Sequence, residues 1–219
     1  MIISTMRNQV SQFTSDPDQT RYTATQYLNA INRAQEQMAL DTRALFKDKS
    51  WSHVAGDVDE DLPSDFLWED LVTYGAVELT PTSRHELNRK MGEDWSDDEA
   101  DLPTHYIIDP EQAVKEIVLW PEPQTAKTLI MRYYAFPAAL SADSDTPLNS
   151  SALMVQFHMG ICAFAAWLIL LSETEVTPFI IAKRQELLAL YNDACAKADQ
   201  TFKNTASAPL KIRGTRIYK

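Results

Sequence analysis

Four histidines, two cysteines and 31 carboxylates are the side chains from which this 219-residue chain would have to build a reaction centre. The nearest approach to a metal-hydrolase motif is His85-Glu86-Leu87-Asn88-Arg89. Gripping zinc from one helix face takes two imidazoles one turn apart, and Arg89 stands where the second would be. Glu86 reads better as a helix-capping residue and His85 as a surface residue. His53, His105 and His158 are scattered, and His158, inside an apolar stretch, fits a hydrogen-bonded core residue better than a base or ligand. The acidic runs Asp57 to Asp61 and Glu93 to Asp101 lack the alternating ligands, central glycine and closing glutamate of a calcium loop, and read as solvated loops. No acid is followed two positions later by lysine, as a common nuclease core would require. The five glycines (Gly56, Gly75, Gly92, Gly160, Gly214) are too far apart for a phosphate loop, a dinucleotide fingerprint or a nucleophile elbow. No catalytic, cofactor or metal site assembles from these residues, and the expectation is a protein that is not an enzyme.

The elements that would have to position any such site are legible. Met6, Val10 and Phe13 recur at helical spacing before the turn Ser15-Asp16-Pro17-Asp18. A helix is predicted from about Tyr22 to Phe46, with Thr23 and Gln26 as a capping box and Tyr27, Leu28, Ile31, Ala34, Met38 and Leu45 as its apolar stripe. From Phe66 to Phe136 the chain reads as β-structure. Phe66 to Thr73 and Ala76 to Leu79 form a hairpin through Tyr74-Gly75. Next comes a short helix opened by Ser83 and Glu86, and then strands at His105 to Asp109, Glu116 to Trp120 and Thr128 to Tyr134, punctuated by prolines. The last two strands are apolar on both faces, which calls for a sheet covered on both sides by helices, another sheet or a neighbouring subunit.

Two long helices close the chain, Ser151 to Leu171 and, after the cap-and-proline start Thr177-Pro178, a second to about Phe202. Their short linker makes them an antiparallel pair. Ala152 to Leu171 is twenty residues without a charge, long enough to cross a bilayer, but acids flank it (Asp143, Asp145, Glu173, Glu175) where lysine or arginine would be expected. A buried central helix is the favoured reading, and a membrane-associated protein anchored by residues 152–171 is the alternative. With the hairpin loop at Glu173 to Val176, Cys162 comes level with about residue 187. That leaves Cys195 roughly 12 Å further along the helix, too far for a disulfide. Reduced thiols and folding in a cytoplasm follow, and Met1 to Val10 has no apolar core of signal-peptide length.

Net charge is −11, which argues against a surface that grips nucleic acid broadly. The last residues run the other way: Lys211, Arg213, Arg216 and Lys219 give +4 with no acid from Ser207 on, leaving −15 for the preceding body. In this tail Pro209 and Gly214 exclude a stable helix, while Leu210, Ile212, Ile217 and Tyr218 are unlike a solvating terminus. An extended arm that orders on a partner, as by strand addition, and a frayed end are both consistent with that composition.

The order of the segments resembles the head-to-tail adaptor (connector) proteins of tailed bacteriophages. The stretches that carry the resemblance are Tyr27-Leu28-Asn29-Ala30-Ile31-Asn32-Arg33-Ala34-Gln35, Asp61-Leu62-Pro63-Ser64-Asp65-Phe66 and Ser83-Arg84-His85-Glu86-Leu87. Further matches are Leu102-Pro103-Thr104-His105-Tyr106-Ile107-Ile108, Ile117-Val118-Leu119-Trp120-Pro121-Glu122-Pro123, Arg132-Tyr133-Tyr134-Ala135-Phe136-Pro137 and the acidic link before Pro147-Leu148. The resemblance implies an α+β chain, mainly a helical bundle with a small antiparallel β-rich insertion and an extended C-terminal arm. On that plan residues 1–60 are the first helical segment, 61–147 the insertion, 148–206 the closing hairpin and 207–219 the arm. It also implies a structural virion protein of the neck, assembled in the host cytoplasm, forming a ring of about twelve copies under the portal. Tail or nozzle proteins would attach beneath, and double-stranded DNA would pass without specific binding. No membrane is involved in this reading, and another tail or nozzle component is its nearest neighbour. By analogy with the family, Leu210, Lys211, Ile212, Arg213, Arg216, Ile217 and Tyr218 would contact the portal.

Overall fold

A computed structural model describes residues 1–108, 115–148 and 152–206. Its helices and strands, in chain order, are α1 (Ile3–Phe13), α2 (Ala24–Thr42), β1 (Phe46–Ser52), β2 (Asp59–Asp61), β3 (Phe66–Tyr74), β4 (Val77–Glu78), β5 (Thr80–Thr82), α3 (Arg84–Met91), β6 (Glu99–Ala100), β7 (His105–Ile108), β8 (Glu116–Trp120), β9 (Glu122–Pro123), β10 (Thr128–Ala135), α4 (His158–Leu171) and α5 (Pro178–Ala206). Helix makes up 44% and strand 24%, so the chain is a mixed α+β protein whose strands are more than a minor addition to a bundle. It divides into two compact units. One is Met1–Ala44 with Pro137–Lys219, and the other is Leu45–Phe136.

The helical unit is organised by α4, which packs against α1, α2 and α5. Its uncharged sequence follows from that position: Ile161, Cys162, Ala163, Ala165 and Ala166 are all buried. No helix among the described residues is long and apolar enough to cross a membrane. The twenty-residue apolar run is a 3-10 segment, Ala152–Phe157, followed by an α-helix of only 14 residues. Gly160 brings α4 close to its neighbours, since a Cβ there would meet Ala194 Cβ at 2.5 Å and Met38 Cε at 2.9 Å. Thr177 caps α5 through its Oγ1, which accepts from Ile180 N, and the capping box of Thr23 and Gln26 at α2 is complete.

The hairpin register differs from the one expected. Arg184 donates to the Leu170 carbonyl, the Phe164 and Tyr191 rings lie 4.4 Å apart, and Gly160 faces Ala194. The position level with Cys162 is therefore about 192, and Cys195 is only about 5 Å further along the axis. Both thiols are free. Burial pushes them up, to about 12 for Cys162 and about 11 for Cys195, which leaves both protonated and unreactive at neutral pH.

The β unit holds two four-stranded sheets. The first has the order β1-β10-β3-β4, antiparallel throughout; the second has the order β2-β8-β7-β5. The expected hairpin at Tyr74-Gly75 forms, with Thr73 opposite Glu78 and Gly75 at φ +62°. Two pairings, β5 with β7 and β6 with β9, are parallel where an antiparallel sheet was expected. The segment from Thr82 to His105 contains α3 and is long enough for the crossover that parallel pairing requires. Leu129, Met131, Tyr133 and Ala135 alternate inward along β10, as do Ile117 and Leu119 along β8. The opposite face of β8 is covered within the unit, where Val118 and Trp120 pack on Leu87, Trp95 and Ile107.

Three further expectations need correcting. The helix predicted to run to Phe46 stops at Thr42, and Phe46–Ser52 is a strand. The acidic run at 93–101 is no solvated loop: it forms the 3-10 turn Glu93–Asp97 and strand β6, and Trp95 is buried. In the other acidic run Asp59–Asp61 pairs with β8, and Glu60 lies against buried His53.

Candidate interaction surfaces

The residues that could have done chemistry are occupied structurally. Ser83 Oγ caps α3 by accepting from Glu86 N at 3.1 Å. The Glu86 carboxylate accepts from Lys90 Nζ at 2.6 Å and not from the cap backbone; that lysine holds it below the usual carboxylate range. His158 is buried, its Nε2–H donating to the Pro147 carbonyl at 3.0 Å, and burial lowers it to about 4. His53 lies in the β1–β2 corner, 2.9 Å from a Glu60 oxygen and 2.8 Å from the Asp57 carbonyl. His105 lies against Trp120, ring centroids 5.3 Å apart and tilted by 57°. Among the described residues no group of histidine, cysteine and carboxylate side chains could hold a metal ion. A cavity of about 200 Å³ in the β unit is lined by Asp59, Arg84, Trp95, Ser96, Glu116 and Trp120.

What the structure does concentrate is charge and unpaired surface. Leu45–Phe136 carries 20 acidic and 8 basic side chains, a net −12, so the remaining residues at +1 complete the total of −11. The acidity of the chain is thus a property of the β unit, which the sequence alone places only in an undivided body.

The long edge of the first sheet is β1, and six of its seven residues are exposed. Among the described residues it pairs with β10 alone, Phe46 opposite Tyr134 through to Ser52 opposite Thr128. Leu45 accepts from Ala135 N, and His53 donates to Lys127 O. The antiparallel alternation then turns the N–H and C=O groups of Phe46, Asp48, Ser50 and Ser52 outward, away from β10. The outer face beside this edge is apolar and aromatic: Phe46 is 52% exposed and Ile130 39%. The Tyr134 ring contacts Phe46 at 5.9 Å and Trp68 at 5.6 Å. Asp48 and Arg132 pair across it at 3.0 Å. The opposite end of the β unit is blunted by the two-residue β4 and by Pro81 in β5.

In the helical unit, Phe179 (64% exposed), Ile181 and Leu190 stand out on α5, and Met159 and Leu171 on α4. The link before Pro147 is anchored and not loose. Asn32 holds Leu140 through both backbone groups, Gln35 donates to Ala138 O, and Arg7 pairs with Asp143. The arm residues Leu210, Lys211, Ile212, Arg213, Arg216, Ile217 and Tyr218 lie outside the described residues.

No curated protein matches the chain significantly. Residues 1–213, which span both units, match the family described as SU10 adaptor protein. With that match over nearly its whole length, the chain belongs to this phage head-to-tail adaptor family.

Proposed function

We propose that the chain is a structural, non-catalytic component of the virion neck, a head-to-tail adaptor that forms a ring of about a dozen copies beneath the portal. The observation that carries this reading is the family match over residues 1–213, continuous through both units. The helical unit serves as the bundle that carries the β unit as an insertion. The −12 of the β unit fits a channel lining along which DNA passes without sticking, since like charge offers no counterion release to drive binding. Assembly takes place in the host cytoplasm, and tail or nozzle proteins attach beneath the ring. The arm residues Leu210, Lys211, Ile212, Arg213, Arg216, Ile217 and Tyr218 make the portal contact.

Deletion of Pro209 to Lys219 tests the docking claim. The shortened chain is expected to stay soluble and folded and to be absent from assembled necks. Normal incorporation of the shortened chain would contradict it.

A further inference from the structure

We propose that the corner between β1 and β2 is a proton-operated latch. It is closed while both ring nitrogens of His53 carry a proton, and it opens when the ring gives one up. The latch lies within the β unit, at residues 53–60, where the chain passes from an edge strand of the first sheet to an edge strand of the second.

The geometry carries the proton count. The His53 side chain is fully buried, with Nδ1 2.9 Å from Glu60 Oε1 and Nε2 2.8 Å from the Asp57 carbonyl oxygen. A carboxylate and a carbonyl accept hydrogen bonds, whereas a neutral imidazole offers one N–H and one lone pair. A neutral ring would press that lone pair against one of the two oxygens; the doubly protonated ring satisfies both. Glu60, 24% exposed, supplies the counter-charge. The Tyr74 ring of β3 stands edge-on at 5.6 Å with its phenol donating to the Thr125 carbonyl, and the Lys127 carbonyl accepts from the His53 backbone. The Asp57 carboxylate is exposed, and Glu122 Oε1 lies beside Gly56. When the ring loses a proton, the remaining N–H stays with Glu60, because the charge-assisted bond is the stronger. Nε2 then sets a lone pair against the Asp57 oxygen, and Asp57 has to move away. Asp57 belongs to the turn that Gly56 seats by donating to Pro123 O and Val58 by accepting from Leu119 N. β2 follows it with only three residues paired to β8. The movement therefore loosens residues 54–58 and the β2 edge. Acid closes the corner and alkali opens it.

Nuclear magnetic resonance of the full-length chain tests this, with the His53 ring nitrogens and the backbone amides of residues 54–58 followed through a pH titration. Both ring nitrogens are expected to be protonated wherever the amides show the closed corner. As pH rises, ring and amides should change together with one midpoint, and Gly56 should lose its hydrogen-bonded amide signal. Glu60→Gln preserves the shape and can turn its amide N–H toward a neutral Nδ1, which leaves Nε2–H for the Asp57 carbonyl. In that variant the corner is expected to stay closed throughout the same titration. A neutral ring in a closed corner of the parent chain would overturn the proposal. So would corner amides that ignore the ring's titration, or a Glu60→Gln variant with the parent's pH response. A ring that keeps both protons until the whole chain unfolds would overturn the switch as well. If Glu60→Gln fails to fold, the parent titration alone decides.

Discussion

The phenol of Tyr27 on α2 donates to the carboxylate of Asp16 at 2.8 Å, and both side chains are buried. The same carboxylate accepts from the backbone N–H groups of Thr20, Arg21 and Tyr22. One side chain thus organises the whole turn between α1 and α2. Burial alone would raise Asp16, but the bonds from Tyr27, Arg21 and Thr20 outweigh it and hold the acid below 3.8. Burial, with the Asp16 carboxylate beside it, pushes Tyr27 up to about 12.

Asp16→Asn should therefore destabilise the chain by about 1–3 kcal/mol, because it leaves buried donors facing an amide. Tyr27→Phe removes one bond of several and should cost about 1 kcal/mol. Because the folded acid titrates below its unfolded value, its contribution is complete above pH 3.8 and is lost as pH falls through the folded value. Urea midpoints at pH 7 and in acid check both claims. Equal midpoints for Asp16→Asn and the parent chain at pH 7 would refute the anchoring role.

His158 contributes in a different window. Folded, it titrates near 4; unfolded, near 6.5. Protons therefore favour the unfolded chain between those values. Stability is full above pH 6.5 and falls by about 1.4 kcal/mol per pH unit on the way down to 4. His158→Gln can still donate to Pro147 O and does not titrate, so the part of the slope that His158 supplies should be missing from it. Unfolding curves at several pH values would show the difference, and the same slope in both proteins would contradict the assignment.

Gly160→Ala should destabilise the helical unit by about 1–3 kcal/mol, in spite of the better helix propensity of alanine. The added Cβ has Ala194 Cβ 2.5 Å away, and a methyl fixed to a helix backbone cannot swing aside. Thermal unfolding checks this, and a variant as stable as the parent would show that α4 and α5 separate at little cost.

Most elements were legible because their signals are local. Thr23 and Gln26 announce α2, Tyr74-Gly75 announces the β3–β4 turn, and the apolar run Ile117 to Trp120 closed by Pro121 announces β8. The edge strand β1 was not. Phe46-Lys47-Asp48-Lys49-Ser50-Trp51-Ser52 is exposed on both faces, so burial imposes no alternation for a pattern search to find. The parallel β5–β7 pair was missed because pairing direction is set by the crossover and not by the strand sequence. Both ends of the α4–α5 loop were legible, but not the register of Cys162 against Cys195: Arg184 lies level with Leu170, so the first turn of α5 runs past the end of α4. Anchors such as Asn32 on Leu140 join residues 108 apart in the chain, which no local window detects.

The concentration of acid in the β unit gives a further expectation. The isolated full-length chain should show no retention on double-stranded DNA at physiological salt, since its net charge of −11 opposes the phosphate backbone. An electrophoretic shift that disappears with added salt would instead locate a basic groove and contradict a non-sticking channel.

The central claim is that this chain forms the adaptor ring of a neck, and counting its copies per purified virus particle by quantitative mass spectrometry tests it most directly. The account predicts about a dozen copies, which co-purify with the portal after the capsid is disrupted. Absence from the particles, with the chain recovered instead from host membranes or the soluble fraction, would contradict it.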